Sequence, residues 1–488
     1  MPDGPTPDGP SASPRAPSES LRRAHRPHLV GVAGAAMRSM AALLLAQGKA
    51  VSGSDSGSPA EIEVLRGLGI QAVYGHQAEN VSGADLVIAS AAVPPENPEL
   101  AAARALGLPI LSHAQALGAL MADCDGIGVA GTHGKSTTTA LVAHLLAVAG
   151  LDPTLAGGAD ALDFGGYARL GQGPHLVAEA DEFGRRFLEL HPRLAIITAA
   201  EPDHLDYYGS FEALLAAFRQ FVAGMPDDGI IITCEDEPNL AGLLLPRHRI
   251  RYGWAGHAHW RLERYVPRYG GGAQFTVRRP DGSRESYDMR LNGRHNAANA
   301  VSALAVAWEL GLPASAIRQG LATFQGTRRR FETLAQRNGT WVVEDYAHHP
   351  TAIIANLNAA RDVHSGRLVA VFQPHTTHRT HSLLEEFAAA FRAADRVIVA
   401  PVYQPSGRGE DSILVTSADL VTRMGHPEAV AAESLEQTFA LASEELQPGT
   451  LVLVLGAGDI TTVARRLAQH VNGPVAAVAA TSTMDAPR

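Results

Sequence analysis

The 488-residue sequence is poor in cysteine, in long apolar runs and in positive charge. Its two cysteines, Cys124 and Cys234, form no Cys-x-x-Cys pair, which argues against a disulfide scaffold or a structural zinc site and favours a reducing cytoplasm. Apolar runs such as 451–455 fall far below the ~18 residues of a membrane helix, so we expect no membrane insertion. Forty basic residues against fifty acidic ones give a net charge of −10, and nucleic acid is therefore not expected as a partner.

The residues that are present indicate several globular domains. A hydrophobic content of 46% with 18% charged residues excludes a mostly disordered chain and a coiled-coil rod. Short apolar runs alternate with helical stretches, which is typical of α/β domains with mostly parallel sheets. Because this pattern restarts near 122 and 326, we predict three domains over 28–122, 123–326 and 327–472.

The two ends of the chain have a different composition. Residues 1–27 are rich in Pro, Ser and Gly and predict a disordered arm, and residues 473–488 predict a flexible tail. The arm contains no apolar core, so we expect no signal peptide and a soluble, intracellular protein.

The most specific motif lies between a predicted strand at 126–130 and a predicted helix at 138–149. Small residues there let backbone N–H groups close around phosphate oxygens, and the helix N-terminus adds positive potential. Lys135 would carry a point charge to the β- and γ-phosphates, and the Ser136 hydroxyl would bind Mg²⁺. The alternative is a glycine-rich turn with a solvated lysine. The motif consists of Gly131, Thr132, His133, Gly134, Lys135, Ser136 and Thr137.

Polar residues also follow two further predicted strands. Glu179, Asp181 and Glu182 end the first, and such a cluster is either a solvated edge or a site for a hard cation beside phosphates. His204 follows the second, where a lone histidine is more often a capping or core group than a ligand. Open α/β sheets bind ligands beyond the carboxyl ends of their strands, so three such ends together favour a ligand site.

An ordered set of motifs resembles the Mur ligases, which use ATP to add amino acids to the UDP-linked peptidoglycan precursor. Two further segments, Gln373-Pro374-His375 and Gly456-Ala457-Gly458-Asp459, narrow the resemblance to the branch that adds L-alanine to UDP-N-acetylmuramate. The set runs through GTHGKST, VAEADE, Asp203-His204-Leu205-Asp206-Tyr207-Tyr208, Asn292-Gly293-Arg294-His295-Asn296-Ala297-Ala298-Asn299, Arg329-Arg330-Phe331-Glu332 and Asp345-Tyr346-Ala347-His348-His349-Pro350.

The resemblance implies a fold and a reaction. The fold would consist of a Rossmann-like domain for the UDP-sugar, a central P-loop ATPase domain with a parallel sheet, and a mobile Rossmann-like C-terminal domain. ATP would phosphorylate the lactyl carboxylate, and the amine of L-alanine would attack the acyl phosphate. The implied partners are UDP-N-acetylmuramate, L-alanine and ATP with Mg²⁺, whereas the oligomeric state is not indicated.

The resemblance also implies roles for single residues. Lys135 would bind phosphate, Ser136 or Thr137 the first Mg²⁺, and Glu179 and His204 would be metal ligands. Asn296 would read the adenine edge, Arg330 would reach the γ-phosphate, and Asp345 would bind ribose. The predicted substrate-binding residues are Gly31, Gly34, Asp55 and Ser90 for the UDP-sugar, Tyr346 and His348 for the amino acid, and His375 and Arg379 on a substrate-facing loop.

Some positions depart from the family pattern. Ala33 and Ala36 replace glycines in the first loop, where each Cβ would lie near a pyrophosphate and would cost strain if the position needed a positive φ. His113 and Thr376 stand where the family usually has arginine. Phe183-Gly184-Arg185-Arg186 replaces a small polar run.

Three alternatives remain open at this point. The histidines His375, His378 and His381 could form a transition-metal site, although their spacing diverges on a helix. The chain could instead be a recycling ligase that attaches a whole tripeptide to UDP-N-acetylmuramate. It could also be a sensor that binds UDP-sugar and ATP without turnover.

Overall fold

The computed structural model describes residues 16–57, 59–241, 248–404 and 415–473. These residues form three sheets that are mostly parallel, each with its own helices, so the predicted α/β fold with three domains is confirmed. The first two sheets belong to one compact unit and the third to another. Apart from the short segments 267–273 and 291–294, the chain passes from the first unit to the second between Arg328 and Arg329.

The first domain is a five-stranded parallel sheet in the order β3-β2-β1-β4-β5. Its central strand is buried along its whole length, and helices connect successive strands. The elements are α1 (Pro17–Arg23), β1 (Pro27–Val30), α2 (Ala35–Ala46), β2 (Ser52–Asp55), α3 (Pro59–Gly67), β3 (Gln71–Tyr74), β4 (Leu86–Ala89), α4 (Pro98–Ala105), β5 (Ile110–Ser112) and α5 (His113–Met121), with a 3-10 turn at Ala78–Val81.

The prediction of a disordered arm over 1–27 is wrong for residues 16–27, which the structure describes. Helix α1 begins at Pro17, buries Leu21, and packs against α5. The Lys49 ammonium donates hydrogen bonds to the carbonyl oxygens of Leu21 and Ala24. These tertiary contacts stabilise a short helix that its Ser- and Pro-containing sequence does not predict. The rest of the predicted arm (1–15) and most of the predicted tail (474–488) lie outside the described residues.

The second domain is a ten-stranded sheet in the order β15-β14-β13-β12-β11-β10-β6-β9-β7-β8. The elements before β10 are β6 (Asp125–Ala130), α6 (Lys135–Val148), β7 (Thr154–Ala161), β8 (Gly166–Arg169), β9 (His175–Glu179) and a 3-10 segment at Phe183–Glu189. The remaining elements are β10 (Leu194–Ile197), α7 (Leu205–Tyr208), α8 (Phe211–Ala223), β11 (Ile230–Cys234), α9 (Pro238–Ala241), β12 (His248–Gly253), β13 (Trp260–Pro267), β14 (Ala273–Arg278), β15 (Arg284–Met289), α10 (Arg294–Glu309) and α11 (Ala314–Thr323).

The third domain is a six-stranded sheet in the order β16-β17-β21-β18-β19-β20, parallel except for the β16–β17 hairpin. Its elements are β16 (Glu332–Arg337), β17 (Thr340–Asp345), α12 (Pro350–Val363), β18 (Arg367–Phe372), α13 (Thr377–Ser382), α14 (Leu384–Ala390), β19 (Arg396–Val399), α15 (Ser417–Met424), β20 (Ala429–Ala431), α16 (Leu435–Glu444), β21 (Thr450–Leu455) and α17 (Thr461–Asn472).

In every domain the sequence motifs follow three neighbouring parallel strands. In the first sheet they follow β2, β1 and β4, in the second β9, β6 and β10, and in the third β17, β21 and β18. Parallel strands end at the same edge of a sheet, so each group of motifs meets at one edge. No described helix combines the length and apolar character that a membrane crossing requires.

Candidate active site

The first sheet carries a cavity of about 650 Å³ at the ends of β1, β2 and β4. The four predicted UDP-sugar residues of this domain, Gly31, Gly34, Asp55 and Ser90, all line it. The structure therefore brings these four residues together at the point where the strand order reverses, which is where open α/β sheets bind nucleotides.

The loop that borders this cavity needs glycine at one position. Gly31 has a φ of +82°, and a Cβ there would lie 2.8 Å from the Cβ of Ser90. Ala33 and Ala36 have negative φ, so neither alanine strains the backbone. The Ala33 N–H donates to Asp55 Oδ2 at 2.8 Å, and the Gly57 N–H donates to Asp55 Oδ1 at 2.8 Å. Asp55 therefore holds the loop in shape with backbone hydrogen bonds.

Several residues of the cavity were missed by the sequence reasoning, among them His76 and Asn97. Both contact the buried residue Glu99, His76 at its carboxylate and Asn97 at its backbone N–H. His76 Nδ1 lies 3.2 Å from Glu99 Oε2, and Asn97 Oδ1 accepts the Glu99 N–H at 2.8 Å. Their signal in the sequence, a His or Asn in a loop after a strand, is too common to stand out.

The Glu99 carboxylate is held as an anion by its neighbours. Burial alone would raise the pKa of Glu99, but hydrogen bonds from His28, Ser54 and Asn80 lower it to about 2. The Ser54 hydroxyl donates to Glu99 Oε2 at 2.6 Å. This network fixes the wall of the cavity behind His76.

The predicted phosphate loop, residues 131–137, joins β6 to α6 and includes the first residues of that helix. Gly131 has a φ of +125°, and Gly134 has a φ of +78° and is the N-cap of α6. A Cβ on Gly131 would lie 2.3 Å from Thr198 Oγ, and one on Gly134 would lie 2.7 Å from Asn299 Oδ1. Only glycine fits at either position, so the loop is packed closely between the end of β10 and helix α10.

The other loop residues are tied to the segment after β10. The Thr132 N–H donates to Ala199 O at 3.0 Å, and the Glu201 N–H donates to Thr132 Oγ at 3.3 Å. His133 Nε2 lies 3.3 Å from Glu201 Oε2. Ser136 and Thr137 are buried in the first turn of α6.

The Lys135 ammonium has three oxygen acceptors within the protein. Nζ donates to Gly131 O at 2.7 Å and to Glu182 Oε1 and Oε2 at 2.9 and 2.8 Å. Burial lowers the pKa of Lys135, but the carboxylate of Glu182 more than offsets this and raises it well above its usual range. Lys135 is therefore a permanent cation.

The three carboxylates of the acidic motif have three different partners. Glu179 accepts the Gly158 N–H at 3.1 Å, Asp181 is paired with Arg186 at 3.1 Å, and Glu182 is paired with Lys135. Glu179 takes part in none of the salt bridges between described residues. The solvated-edge reading is thus wrong for Glu182, which is fully buried, whereas Glu179 keeps an oxygen for a cation.

His204 occupies a strained position just before α7. Its φ is +53°, which is uncommon for a residue with a side chain. Nε2 lies 3.7 Å from Asp203 Oδ2, and the ring centroid lies 4.7 Å from that of Phe183. A metal-binding role for His204 stays a prediction.

Asn296 lies in helix α10, which passes behind the phosphate loop. Its Oδ1 accepts a hydrogen bond from Asn299 Nδ2 at 3.2 Å, and Asn299 in turn packs against Gly134. Asn296 is 7% exposed, so it lies beside the loop with little contact to solvent. This position fits the predicted adenine contact, which stays a prediction.

The third domain gathers the predicted amino-acid residues. The ring centroids of Tyr346 and His348 are 5.2 Å apart, and those of His348 and His375 are 5.7 Å apart. Arg379 Nη1 lies 3.4 Å from His375 Nδ1. The sequence reasoning missed Tyr403, which stacks on His375 at 5.4 Å and follows the end of β19.

Three consecutive arginines of the linker before β16 have different contacts. Arg329 forms an ion pair with Glu344 at 2.7 Å and donates to Gly456 O at 2.7 Å, so it anchors the linker to the third domain. The Arg330 guanidinium lies 5.1 Å from the centroid of the Tyr346 ring. Arg328 belongs to the other unit and pairs with Asp160 at 3.4 Å.

Asp345 is a buried carboxylate that organises this linker. Its Oδ2 accepts the Phe331 N–H and its Oδ1 the Ala347 N–H, each at 2.7 Å. Burial raises the pKa of Asp345, and the neighbouring Arg330 opposes that rise. Because both oxygens already accept backbone hydrogen bonds, the predicted ribose contact would have to share one of them, and it stays a prediction.

The remaining departures from the family pattern each have a local function. His113 begins α5, and burial together with Arg186 lowers its pKa to about 4, so the ring is neutral at pH 7. Thr376 has a φ of +64°, and its hydroxyl caps α13 by accepting the Arg379 N–H at 3.4 Å.

In the part of the chain that the structure describes, His375, His378 and His381 do not converge as a set of three metal ligands.

Comparison with known families matches the chain in three consecutive segments. The matching models are the Mur ligase family catalytic domain over residues 26–124, the Mur ligase middle domain over 129–307, and the Mur ligase glutamate ligase domain over 329–458.

Individual proteins are similar over most of the chain. A UDP-N-acetylmuramate–L-alanine ligase of Rhizobium etli is 42% identical over 459 residues, covering 91% of this chain and 97% of that protein. The crystal structure of UDP-N-acetylmuramate–alanine ligase from Thermotoga maritima is 29% identical with a TM-score of 0.78, covering 92% and 99% of the two chains. A murein peptide ligase from Psychrobacter arcticus is 25% identical with a TM-score of 0.69, covering 93% and 100%.

Proposed function

The chain belongs to the Mur ligase family, and from that membership we propose its reaction: it uses ATP to join L-alanine to the lactyl carboxylate of UDP-N-acetylmuramate, in peptidoglycan precursor synthesis. The observation that carries this proposal is the 42% identity over 91% of the chain to an alanine-adding ligase. The arrangement of a cavity, a phosphate loop and an aromatic histidine cluster on three separate sheets supports it.

The chemistry requires activation of a poor electrophile. A carboxylate does not react with an amine until one of its oxygens becomes a good leaving group, and ATP supplies that group as phosphate. We propose that the lactyl carboxylate attacks the γ-phosphorus, that ADP leaves, and that the alanine amine then displaces phosphate from the acyl phosphate. The protein contributes by aligning anionic partners and neutralising their charge.

We assign the UDP-sugar to the cavity of the first sheet. Gly31 and Gly34 lie at the start of α2, where the backbone can approach a pyrophosphate and the helix N-terminus adds positive potential. The cavity volume of about 650 Å³ falls within the range of small-molecule sites.

We keep the domain limits 28–122, 123–326 and 327–472 as part of this proposal.

We assign the phosphates of ATP to the loop from Gly131 to Thr137. Gly134 is the N-cap of α6, and the backbone N–H groups of the first helical turn are available to phosphate oxygens. Lys135 adds a permanent positive charge. Asn296 lies beside the same loop and is assigned to the adenine. From the third domain we assign Arg330 to the γ-phosphate and Asp345 to the ribose.

The donor set beside the phosphate loop fits Mg²⁺. Glu179 pairs in register with Val129 at the end of β6, offers carboxylate oxygen, and has no described cation as a partner. Ser136 and Thr137 offer hydroxyl oxygen, and such hard ligands are those that Mg²⁺ prefers. We propose that these residues and His204 would hold the metal, which when bound neutralises phosphate charge.

We assign L-alanine to the cluster of Tyr346, His348, His375 and Arg379. One phenol ring and two imidazoles of this cluster would border the small apolar side chain of alanine, and Arg379 offers a cation for its carboxylate. The reaction takes place in the cytoplasm under this proposal, because ATP and UDP-linked precursors are cytoplasmic metabolites.

The comparisons favour alanine addition over the tripeptide-adding alternative. The curated relatives at 40–42% identity are alanine-adding ligases, and the alanine ligase structure has a higher TM-score than the murein peptide ligase. The intact phosphate lysine and acidic motif argue against a sensor without turnover.

A substrate-omission assay tests the proposal. Phosphate release from ATP should require both UDP-N-acetylmuramate and L-alanine, and mass spectrometry should find UDP-N-acetylmuramate extended by one alanyl residue. Phosphate release that needs the tripeptide instead of L-alanine would identify the recycling ligase. Binding of ATP without release under any combination would identify a sensor.

A further inference from the structure

Glu182 is a buried carboxylate to which the proposed reaction gives no task. It is fully buried, and its backbone oxygen accepts a hydrogen bond from the Tyr208 hydroxyl, which anchors it to the segment after His204. Its side chain reaches Lys135 with both oxygens, at 2.9 and 2.8 Å. Nothing in the motif as read from the sequence distinguishes Glu182 from Glu179 or Asp181.

The contacts of Lys135 bind its charge closely to Glu182. A lysine ammonium has three N–H donors. In this structure Nζ has three oxygens within 2.9 Å, namely Gly131 O and both oxygens of the Glu182 carboxylate. A phosphate oxygen that approaches Nζ therefore comes close to a carboxylate of the same sign of charge, and the two anions share one ammonium.

We propose that Glu182 is a positioning residue that holds Lys135 inside the phosphate loop and competes with nucleotide phosphates for its ammonium. A nucleoside di- or triphosphate then binds to an ammonium whose charge the Glu182 carboxylate already partly neutralises. The competition weakens nucleotide binding and aids release of the product ADP. This inference rests on the assignment of the phosphates to the loop from Gly131 to Thr137.

The location of the pair makes this competition strong. The Lys135 side chain is 14% exposed and that of Glu182 is 1% exposed, so water screens their attraction little. The other two acidic residues of the motif are occupied elsewhere, because Asp181 pairs with Arg186 and Glu179 accepts the Gly158 N–H. Glu182 is thus the carboxylate of this motif that contacts Lys135 directly.

Calorimetric titration with ADP at a fixed MgCl₂ concentration tests the proposal. Glu182→Gln keeps the size and one acceptor oxygen but removes the charge, so it should bind ADP about tenfold more tightly than the wild type, the effect of roughly one charge-assisted hydrogen bond. Asp181→Asn is the matched control, since it makes the same change of charge one residue away without a contact to Lys135. It should change ADP affinity far less.

The same titration in a Lys135→Met background, which completes a double-mutant cycle, separates an effect through Lys135 from a structural effect of the substitution. If Glu182 acts through Lys135, adding Glu182→Gln to Lys135→Met should leave ADP affinity unchanged. Thermal melting of each variant without nucleotide checks that it is folded. Wild-type protein that binds no ADP at all would contradict the nucleotide site itself, which is a different result from failure of this inference.

Three results would overturn the inference. Weaker or equal ADP binding by Glu182→Gln would mean that Glu182 presents Lys135 to the phosphates rather than competing with them. Equal tightening by Asp181→Asn would assign the effect to net charge. A tenfold change that persists in the Lys135→Met background would assign it to the fold around Glu182.

Discussion

At the scale of single residues, the carboxylate side chains of one motif have different environments. Glu179, Asp181 and Glu182 lie within four positions, yet they contact a backbone amide, an arginine and the phosphate lysine respectively. Their placement at a strand end was predictable, because a buried apolar strand followed by carboxylates points to a sheet edge. Their partners were not predictable from the sequence. Arg186 lies in the turn after β9, and Lys135 follows the neighbouring strand β6, so both contacts depend on the folded structure.

Glu179→Gln tests the proposed metal site. The amide keeps an acceptor for the Gly158 N–H, so the fold should persist, but it removes one charged oxygen from a hard cation. The MgCl₂ concentration that gives half the maximal rate should rise by roughly tenfold. Rates measured across a magnesium titration check this. An unchanged titration curve would mean that Glu179 does not bind the metal.

Arg330→Ala tests the proposed contact between Arg330 and the γ-phosphate of ATP. Removing one preorganised donor should lower kcat by on the order of 10²-fold while the KM for ATP changes far less, because the contact acts on the transition state. Arg328→Ala is the internal control, since Arg328 pairs with Asp160 and is more than half exposed. Equal, small effects of both substitutions in steady-state kinetics would indicate a solvated basic linker.

At the scale of elements, the strands were predicted more accurately than the segments between them. The predicted strand at 126–130 matches β6 within one residue, and the apolar run at 451–455 lies within β21, because each is an apolar run bounded by glycine or polar residues. Helix α1 was not predicted. Its apolar side is short, and its burial depends on α5, a helix about 100 residues away in the sequence.

Gly131→Ala tests how closely the phosphate loop is packed. The new methyl group would overlap Thr198 Oγ and the backbone of Ala199, so we expect a loss of about 2–3 kcal/mol in stability together with loss of ADP binding. Gly150→Ala is the control, because Gly150 also has a positive φ, of +80°, but its Cβ would meet no atom within 4 Å. It should cost about 1 kcal/mol and leave ADP binding intact. Melting temperatures and calorimetry measure both effects, and equal losses would contradict the packing.

At the scale of the whole molecule, one arrangement is repeated three times. Each sheet presents loops from three neighbouring parallel strands at its carboxyl edge, and the proposal assigns the UDP-sugar, ATP and amino acid to one edge each. The strand–helix pattern predicted three domains, but it could not predict strand order, on which the grouping of Gly31, Asp55 and Ser90 depends. Strand order follows from how whole helices pack on the sheet, which no local pattern encodes.

Lys135→Ala tests this division of sites between domains. The substitution removes the phosphate cation from the second domain, so turnover should be abolished, while binding of UDP-N-acetylmuramate to the first domain should be nearly unchanged. Calorimetric titration with UDP-N-acetylmuramate, alongside a melting curve that confirms folding, measures this directly. A parallel loss of UDP-sugar binding would contradict separate sites.

The central claim is that the lactyl carboxylate is activated by phosphorylation before the amine attacks, and an isotope measurement tests it most directly. UDP-N-acetylmuramate with both carboxylate oxygens labelled with ¹⁸O is turned over with ATP and L-alanine, and the released phosphate is analysed by mass spectrometry. Transfer of one carboxylate oxygen to the γ-phosphorus predicts one ¹⁸O in each phosphate and one in each alanyl amide product. Phosphate without ¹⁸O, with amide formed all the same, would contradict the acyl phosphate.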